Sequence, residues 1–128
     1  METLAIGEVA RRAGISASAI RYYERAGLLP EPGRVGGKRR YGPEVLRRLA
    51  LVEAAKRAGL TIAEIRALLH GFPDEVGASE RWRSLASRKL EEVDGLMARL
   101  GQMRALLAEA LRCDCASLEE CAELLTGR

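Results

Sequence analysis

The sequence predicts a mainly α chain: a helix-turn-helix, a basic hairpin and two further helices, then one long self-associating helix and a short C-terminal loop and helix. Three observations predict it. Leu, Ala, Arg and Glu are abundant while aromatics make up only 4%, a composition that favours helices and leaves the core to aliphatic side chains. Apolar residues recur at three- and four-residue steps along most of the chain. The helical period breaks in "PEPGRVGGKRRYGP", residues 30–43, and again after Leu111.

Taken in order, "AIGEVARRAGIS" places Ile6, Val9, Ala10 and Ala13 at helical spacing, with Gly14 as the stop. Ser16 then opens a second short helix as its N-cap, and Gly27 closes it. Two short helices across a Gly-containing turn form a helix-turn-helix pattern. The stretch 30–43 carries three prolines and four glycines around Arg34, Lys38, Arg39, Arg40 and Tyr41, and reads as a basic hairpin or loop. A third helix is expected from about Pro43 to Ala58, with Leu46, Leu49, Val52 and Ala55 on one face and Gly59 as its stop. A fourth opens on the capping box Thr61/Glu64 and ends near His70–Gly71. Phe72–Pro73 starts a hinge, and His70 is placed to cap carbonyls.

From about Ser79 to Leu111 the pattern is one long helix with an approximately heptad stripe through Trp82, Leu85, Leu90, Val93, Met97, Leu100, Leu107 and Leu111. Such a stripe is not stable alone, which predicts a coiled coil with a second copy. Trp82, Leu90, Val93, Met97, Leu100 and Leu107 are the expected dimer interface. Gly95 and Gly101 each weaken the helix by about 1 kcal/mol relative to Ala, consistent with close packing there. Three domains are therefore expected: residues 1–72, 73–111 and 112–128.

Charge separates the halves. Residues 1–72 hold 13 Lys and Arg against 7 Asp and Glu, whereas residues 73–128 hold 8 against 11. A basic first half points to a polyanion as its partner. In the second predicted helix Arg21, Tyr22 and Tyr23 fall where a recognition helix presents side chains to the major groove, although Ile20 and one tyrosine are also candidates for the core. The arginines of residues 33–42 are placed to neutralise phosphates. No apolar run reaches the roughly 18 residues of a membrane span. The start "METLAIGEVARR" lacks the pattern of a secretory signal, so the expected compartment is the cytoplasm. Paired carboxylates, a Ser/His/Asp set and a phosphate loop are all missing, so no enzyme is expected.

All three cysteines lie between Cys113 and Cys121, as C-x-C-x5-C. In a reducing compartment, thiols clustered this closely point to a soft metal ion or to redox chemistry rather than to disulfides.

The stretch "TLAIGEVARRAGISASAIRYYERAGLLPEPGRVGGKRRYGPEVLRRLALVEAAKRAGLTIAEIRALL", residues 3–69, resembles the DNA-binding half of the MerR family of bacterial transcription regulators. "IRYYERAGLL", "RRYG" and "AGLTIAEI" carry the resemblance, and the long helix and terminal cysteines resemble the metal-responsive members. The resemblance implies a winged helix-turn-helix homodimer on double-stranded promoter DNA. An effector makes such a dimer distort an overlong promoter spacer for RNA polymerase. It also implies DNA-binding roles for Ser16, Arg21, Tyr22 and Tyr23 in the recognition helix, and for Arg34, Lys38, Arg39, Arg40 and Tyr41 in the wing, with Arg57 at most a backbone contact. The chain given holds 128 residues, which leaves no stretch for the large ligand domain of multidrug-sensing relatives.

For the effector, the resemblance leaves three alternatives. The separation of Cys113 and Cys121 is similar to the two-thiolate loop of the copper(I)-sensing CueR branch, which suits Cu(I), Ag(I) or Au(I). Mercury and zinc sensors add a cysteine at the start of the long helix of the other subunit, where this chain has Ser79. Cys115 departs from the two-thiolate pattern, so trigonal Hg(II), or Zn(II) completed by Asp114 or Glu119, stays open. The spacing is also similar to that of the SoxR branch, whose [2Fe–2S] cluster uses C-x2-C-x-C-x5-C. Its first ligand would fall at Ala110 and need a replacement such as Glu109.

Overall fold

The computed structural model describes residues 2–126. Along the chain run β1 (Leu4–Ala5), α1 (Ile6–Ala13), α2 (Ala17–Arg25), β2 (Gly33–Val35), β3 (Lys38–Tyr41), α3 (Glu44–Arg57), α4 (Ile62–His70), α5 (Ala78–Leu111) and α6 (Leu118–Thr126). The mainly helical class, the helix-turn-helix, the long helix and the short terminal helix all follow the sequence. Helix α1 stops where Gly14 adopts φ +72° and donates its N–H to Ala10 O. The Ser16 hydroxyl accepts from Ala19 N at 3.1 Å and starts α2. At the head of α4, Thr61 and Glu64 each accept the other's backbone N–H, the full capping box.

The basic stretch is a hairpin. Strands β2 and β3 pair antiparallel with Val35 opposite Lys38, across a two-residue turn in which Gly36 and Gly37 both hold positive φ. Strand β1, which the sequence did not predict, pairs with β3 on its other edge, Leu4 opposite Tyr41. The sheet order is therefore β1-β3-β2.

Two compact units divide the chain, residues 1–85 and 86–128. In the first, Val9, Ile20, Tyr23, Leu28, Tyr41, Val45, Leu49, Val52 and Ile65 form one core between the helices and the sheet. This unit reaches past the hinge because the first turns of α5 belong to it. Arg81 Nε and Nη1 donate to Val76 O and Leu69 O at 2.9 and 3.0 Å. Trp82, expected at the dimer interface, is half-buried against the first unit's core. In the second unit the remainder of α5 leads through residues 112–117 to α6. Leu90, Val93, Met97, Leu100 and Leu107 stay exposed there, and Leu96, Met103 and Leu106 widen the expected stripe. Among the described residues, no helix is long and apolar enough to cross a membrane.

Candidate nucleic-acid interface and metal centre

On α2 the three consecutive candidates separate by helical geometry. Tyr22 is exposed, Arg21 half-buried, and Tyr23 turns inward with 3% exposure. The Tyr23 hydroxyl donates to Glu53 Oε1 and accepts from Lys56 Nζ, both at 2.7 Å, which ties α2 to α3. Burial, and then the Glu53 carboxylate, push the Tyr23 phenol upward against the opposing Lys56. At the other end of α2, Arg66 Nε donates to Ala26 O at 2.8 Å and His70 Nε2 lies 3.0 Å from Gly27 O. The expected capping role of His70 is therefore directed at α2 and not at its own helix.

The hairpin cations also divide. Arg34 donates within its own turn, Nη1 to Gly37 O at 3.1 Å, and Lys38 is exposed. Arg40 is held by Thr3, through Nε to Oγ1 at 3.0 Å and Nη2 to the carbonyl at 2.8 Å. Arg39 Nε donates to Glu24 Oε2 on α2 at 3.1 Å, and the Tyr41 hydroxyl donates to Glu24 Oε1. Tyr41 is 3% exposed. Of the nine residues expected to meet DNA, Tyr23 and Tyr41 thus bury their rings in the core. Ser16, Tyr22, Arg34 and Lys38 are open to solvent, and Arg21, Arg39 and Arg40 are half-buried. Glu24, Glu53 and Lys56 were missed, because nothing in their spacing distinguishes an internal partner from a solvated charge.

At the far end, the three cysteines converge. Their sulfur atoms all lie within 4.8 Å of one another, each side chain half-buried. Local structure explains the convergence. Cys113 and Cys115 flank one residue just after α5, and Cys121 sits in the first turn of α6, where side chains lean back towards the helix N-terminus. That turn is fixed by Ser117 Oγ, which accepts from Glu120 N at 3.3 Å, while Glu120 Oε2 accepts from Ala116 N at 3.1 Å. Cys113 Sγ and Cys121 Sγ are 2.9 Å apart, and Cys115 N donates to Cys113 Sγ at 3.4 Å.

The three thiols shift one another's acidity. Hydrogen bonds from Cys115, then Cys121, lower the Cys113 thiol below its ordinary range. The Cys113 sulfur in turn raises Cys115, and Cys113 followed by Cys115 pushes Cys121 up to about 12. Cys113 is therefore the most readily deprotonated of the three, and a soft cation bound here would take them as thiolates. The donor set fits a soft ion. Thiolates about 2.3 Å from one centre in a plane stand about 4.0 Å apart, within the spread these sulfurs already have. It fits [2Fe–2S] less well, since that cluster takes four protein ligands and position 110 is alanine.

Residues 4–71 match the description "MerR HTH family regulatory protein", and residues 46–110 match "MerR, DNA binding". The chain belongs to the MerR family. Its members are DNA-binding transcription regulators and not enzymes. The mercuric resistance operon regulatory protein of Serratia marcescens is 40% identical over 110 residues, covering 85% of this chain and 75% of the relative. An HTH-type transcriptional activator, a SoxR homolog from Chromobacterium violaceum, is 33% identical over 127 residues, covering 93% and 81%. Among solved structures, the transcription regulator PbrR691 from Ralstonia metallidurans CH34 in complex with lead(II) superimposes with a TM-score of 0.72 at 32% identity, covering 89% of this chain and 90% of that one. HiNmlR, a MerR family regulator lacking the sensor domain and bound to promoter DNA, gives 0.57 at 30% identity, covering 87% and 89%. Both family matches end before Cys113.

Proposed function

We propose that this MerR-family chain is a homodimeric, cytoplasmic regulator that binds promoter DNA and responds to a soft thiophilic metal ion at Cys113, Cys115 and Cys121. The observation that carries the reading is the placement of all three sulfurs within 4.8 Å of one another. Because Cys115 joins the other two, three thiolates come from one chain, and the serine at position 79 costs the site no ligand. A three-thiolate set favours a soft divalent ion of the Hg(II) or Pb(II) class, or Zn(II), over the two-coordinate Cu(I), Ag(I) and Au(I). The mercuric and lead(II) relatives support the same class. When bound, the ion supplies positive charge that holds all three sulfurs deprotonated. On DNA, Arg21 and Tyr22 face the major groove, and Arg34 and Lys38 meet phosphates beside it. Metal binding then shifts the dimer towards a state that undertwists an overlong spacer for RNA polymerase.

The test is anaerobic titration of the reduced protein with Hg(II), Pb(II), Zn(II) and Cu(I), each against a competing chelator, paired with metal-dependent transcription in vitro. Tight divalent binding that Cys115→Ser weakens, with induction lost in Cys113→Ser and Cys121→Ser, is expected. Tight Cu(I) binding indifferent to Cys115→Ser would restore the two-thiolate reading. Induction retained in all three variants would remove the sensor assignment. A redox regulator carrying an iron–sulfur cluster is the second reading, favoured by the likeness to the SoxR homolog and by the shared spacing. Iron and acid-labile sulfide bound after anaerobic reconstitution would support it.

A further inference from the structure

We infer that Glu24 is a positioning residue for DNA recognition: its carboxylate holds the β2–β3 hairpin against the recognition helix α2 through Arg39 and Tyr41. The inference rests on the DNA-binding reading and concerns residues that the sequence assigned to phosphate contacts.

Alternation along β3 produces the arrangement. Arg39 and Tyr41 are two residues apart and share one face of the strand, whereas Lys38 and Arg40 share the other. Both residues of the first face end on the same carboxylate, Arg39 Nε on Oε2 at 3.1 Å and the Tyr41 hydroxyl on Oε1. The Glu24 side chain is 10% exposed and that of Arg39 32%, so this ion pair is drawn substantially out of water. A carboxylate there is costly to desolvate and is held only while both donors stay in place. On the opposite face, Thr3 holds Arg40. The hairpin is thus fastened on one face to the recognition helix and on the other to the chain just before β1. Two of its four cations serve the fastening, which leaves Arg34 and Lys38 to reach phosphates.

Charge and geometry make opposite forecasts for the loss of Glu24. A negative group on a face that meets a polyanion opposes binding, so removing it and freeing Arg39 should tighten the complex. If Glu24 instead sets where the hairpin stands, its loss should weaken the complex even though the protein becomes more positive.

The experiment uses the full chain and a duplex that it selects from a random-sequence pool. Affinity is measured for the parent, Glu24→Ala, Arg39→Ala and the double variant, with hydroxyl-radical footprints of each complex. The hairpin's share of the footprint is defined by what Lys38→Ala loses. Glu24→Ala is expected to bind about five- to tenfold more weakly and to lose that same protection, while the phosphates under α2 remain covered. Arg39→Ala should cost about as much alone and little more on top of Glu24→Ala, because both remove one clamp. A general folding defect would instead fade the whole footprint. Should Glu24→Ala not fold, Glu24→Gln keeps an acceptor for Tyr41 and decides the matter by weaker binding. Tighter binding by either Glu24 variant overturns the clamp, as does an Arg39→Ala penalty undiminished in the Glu24→Ala background. A parent chain that selects no duplex overturns the clamp and the DNA-binding reading together.

Discussion

Replacing Tyr23 by Phe separates a core hydroxyl from a DNA contact. The substitution keeps the ring, which is 3% exposed, and removes the oxygen that donates to Glu53 and accepts from Lys56, both at 2.7 Å. Glu53 is half-buried and Lys56 exposed, so both can recover water once the hydroxyl is gone. The cost therefore falls near that of ordinary net hydrogen bonds and below that of a buried orphan charge, about 1–2 kcal/mol. For a unit of 85 residues, each kcal/mol lowers the melting midpoint by roughly 4–8 °C. Circular dichroism melts at one fixed protein concentration measure this, because association shifts the midpoint as well. DNA affinity, taken by fluorescence anisotropy well below both midpoints, should change by less than about twofold. Tyr22→Phe should behave oppositely, since this side chain is exposed: unchanged melting, weaker DNA binding. A Tyr23→Phe protein that melts like the parent and binds DNA several-fold more weakly would refute the assignment of this hydroxyl to the core.

Two further outcomes follow from the exposed surfaces. Leu100 is 61% exposed in one chain and lies mid-stripe on α5. Leu100→Glu should forfeit about 2–3 kcal/mol of burial per protomer and place a charge in the seam, raising the dimer dissociation constant at least a hundredfold in sedimentation equilibrium; an unaffected dimer would exclude this face as the interface. On α1, Glu8 is half-buried, and hydrogen bonds from Arg11 and then Arg12 hold its carboxyl down at about 2. A carboxyl depressed on folding stabilises the native helix above its ordinary value of about 4.3, and that contribution is lost as pH falls towards the folded value. Carbon-detected NMR should give Glu8 a midpoint near 2 that rises in Arg11→Ala; an ordinary midpoint in the parent would remove the bridge.

Much of the fold was legible because its signals are local. Gly14, Ser16, Thr61 with Glu64, and the Gly36–Gly37 turn each fix a boundary through their own backbone chemistry. Strand β1 was not legible, since two residues carry no period and exist as a strand only by pairing with β3. Side-chain partners were the weak point. "RYYER" contains one tyrosine for the surface and one for the core, and sequence distance conceals that Glu24 meets Arg39 and Tyr41, 15 and 17 residues away. Arginines beside α2 read as phosphate contacts by composition, and the pairing of Arg39 with the Glu24 carboxylate is not visible in that reading. The cysteines were legible in chemistry and incomplete in geometry. C-x-C-x5-C named the candidate ligands, while the convergence of Cys115 with the other two needed the structure.

The capping of α6 also bears on how the proposed ion would act on the protein. Among the described residues, the buried hydrophobic set ends at Leu85, so no apolar core braces the thiol loop. It is held instead by the Ser117–Glu120 and Ala116–Glu120 bonds and the last turn of α5, a low-stability segment by construction. Cys113 and Cys121 stand 2.9 Å apart as thiols. Two thiolates each about 2.3 Å from one ion would stand farther apart than this, and rotation of the cysteine side chains would supply the room. Hydrogen exchange should report ordering of the loop by the proposed ion: amides 113–121 gain protection on adding Hg(II), and do so less in Cys115→Ser. Protection that is unchanged by metal while the metal is demonstrably bound would mean that the loop is already set, and that the response to the ion arises elsewhere.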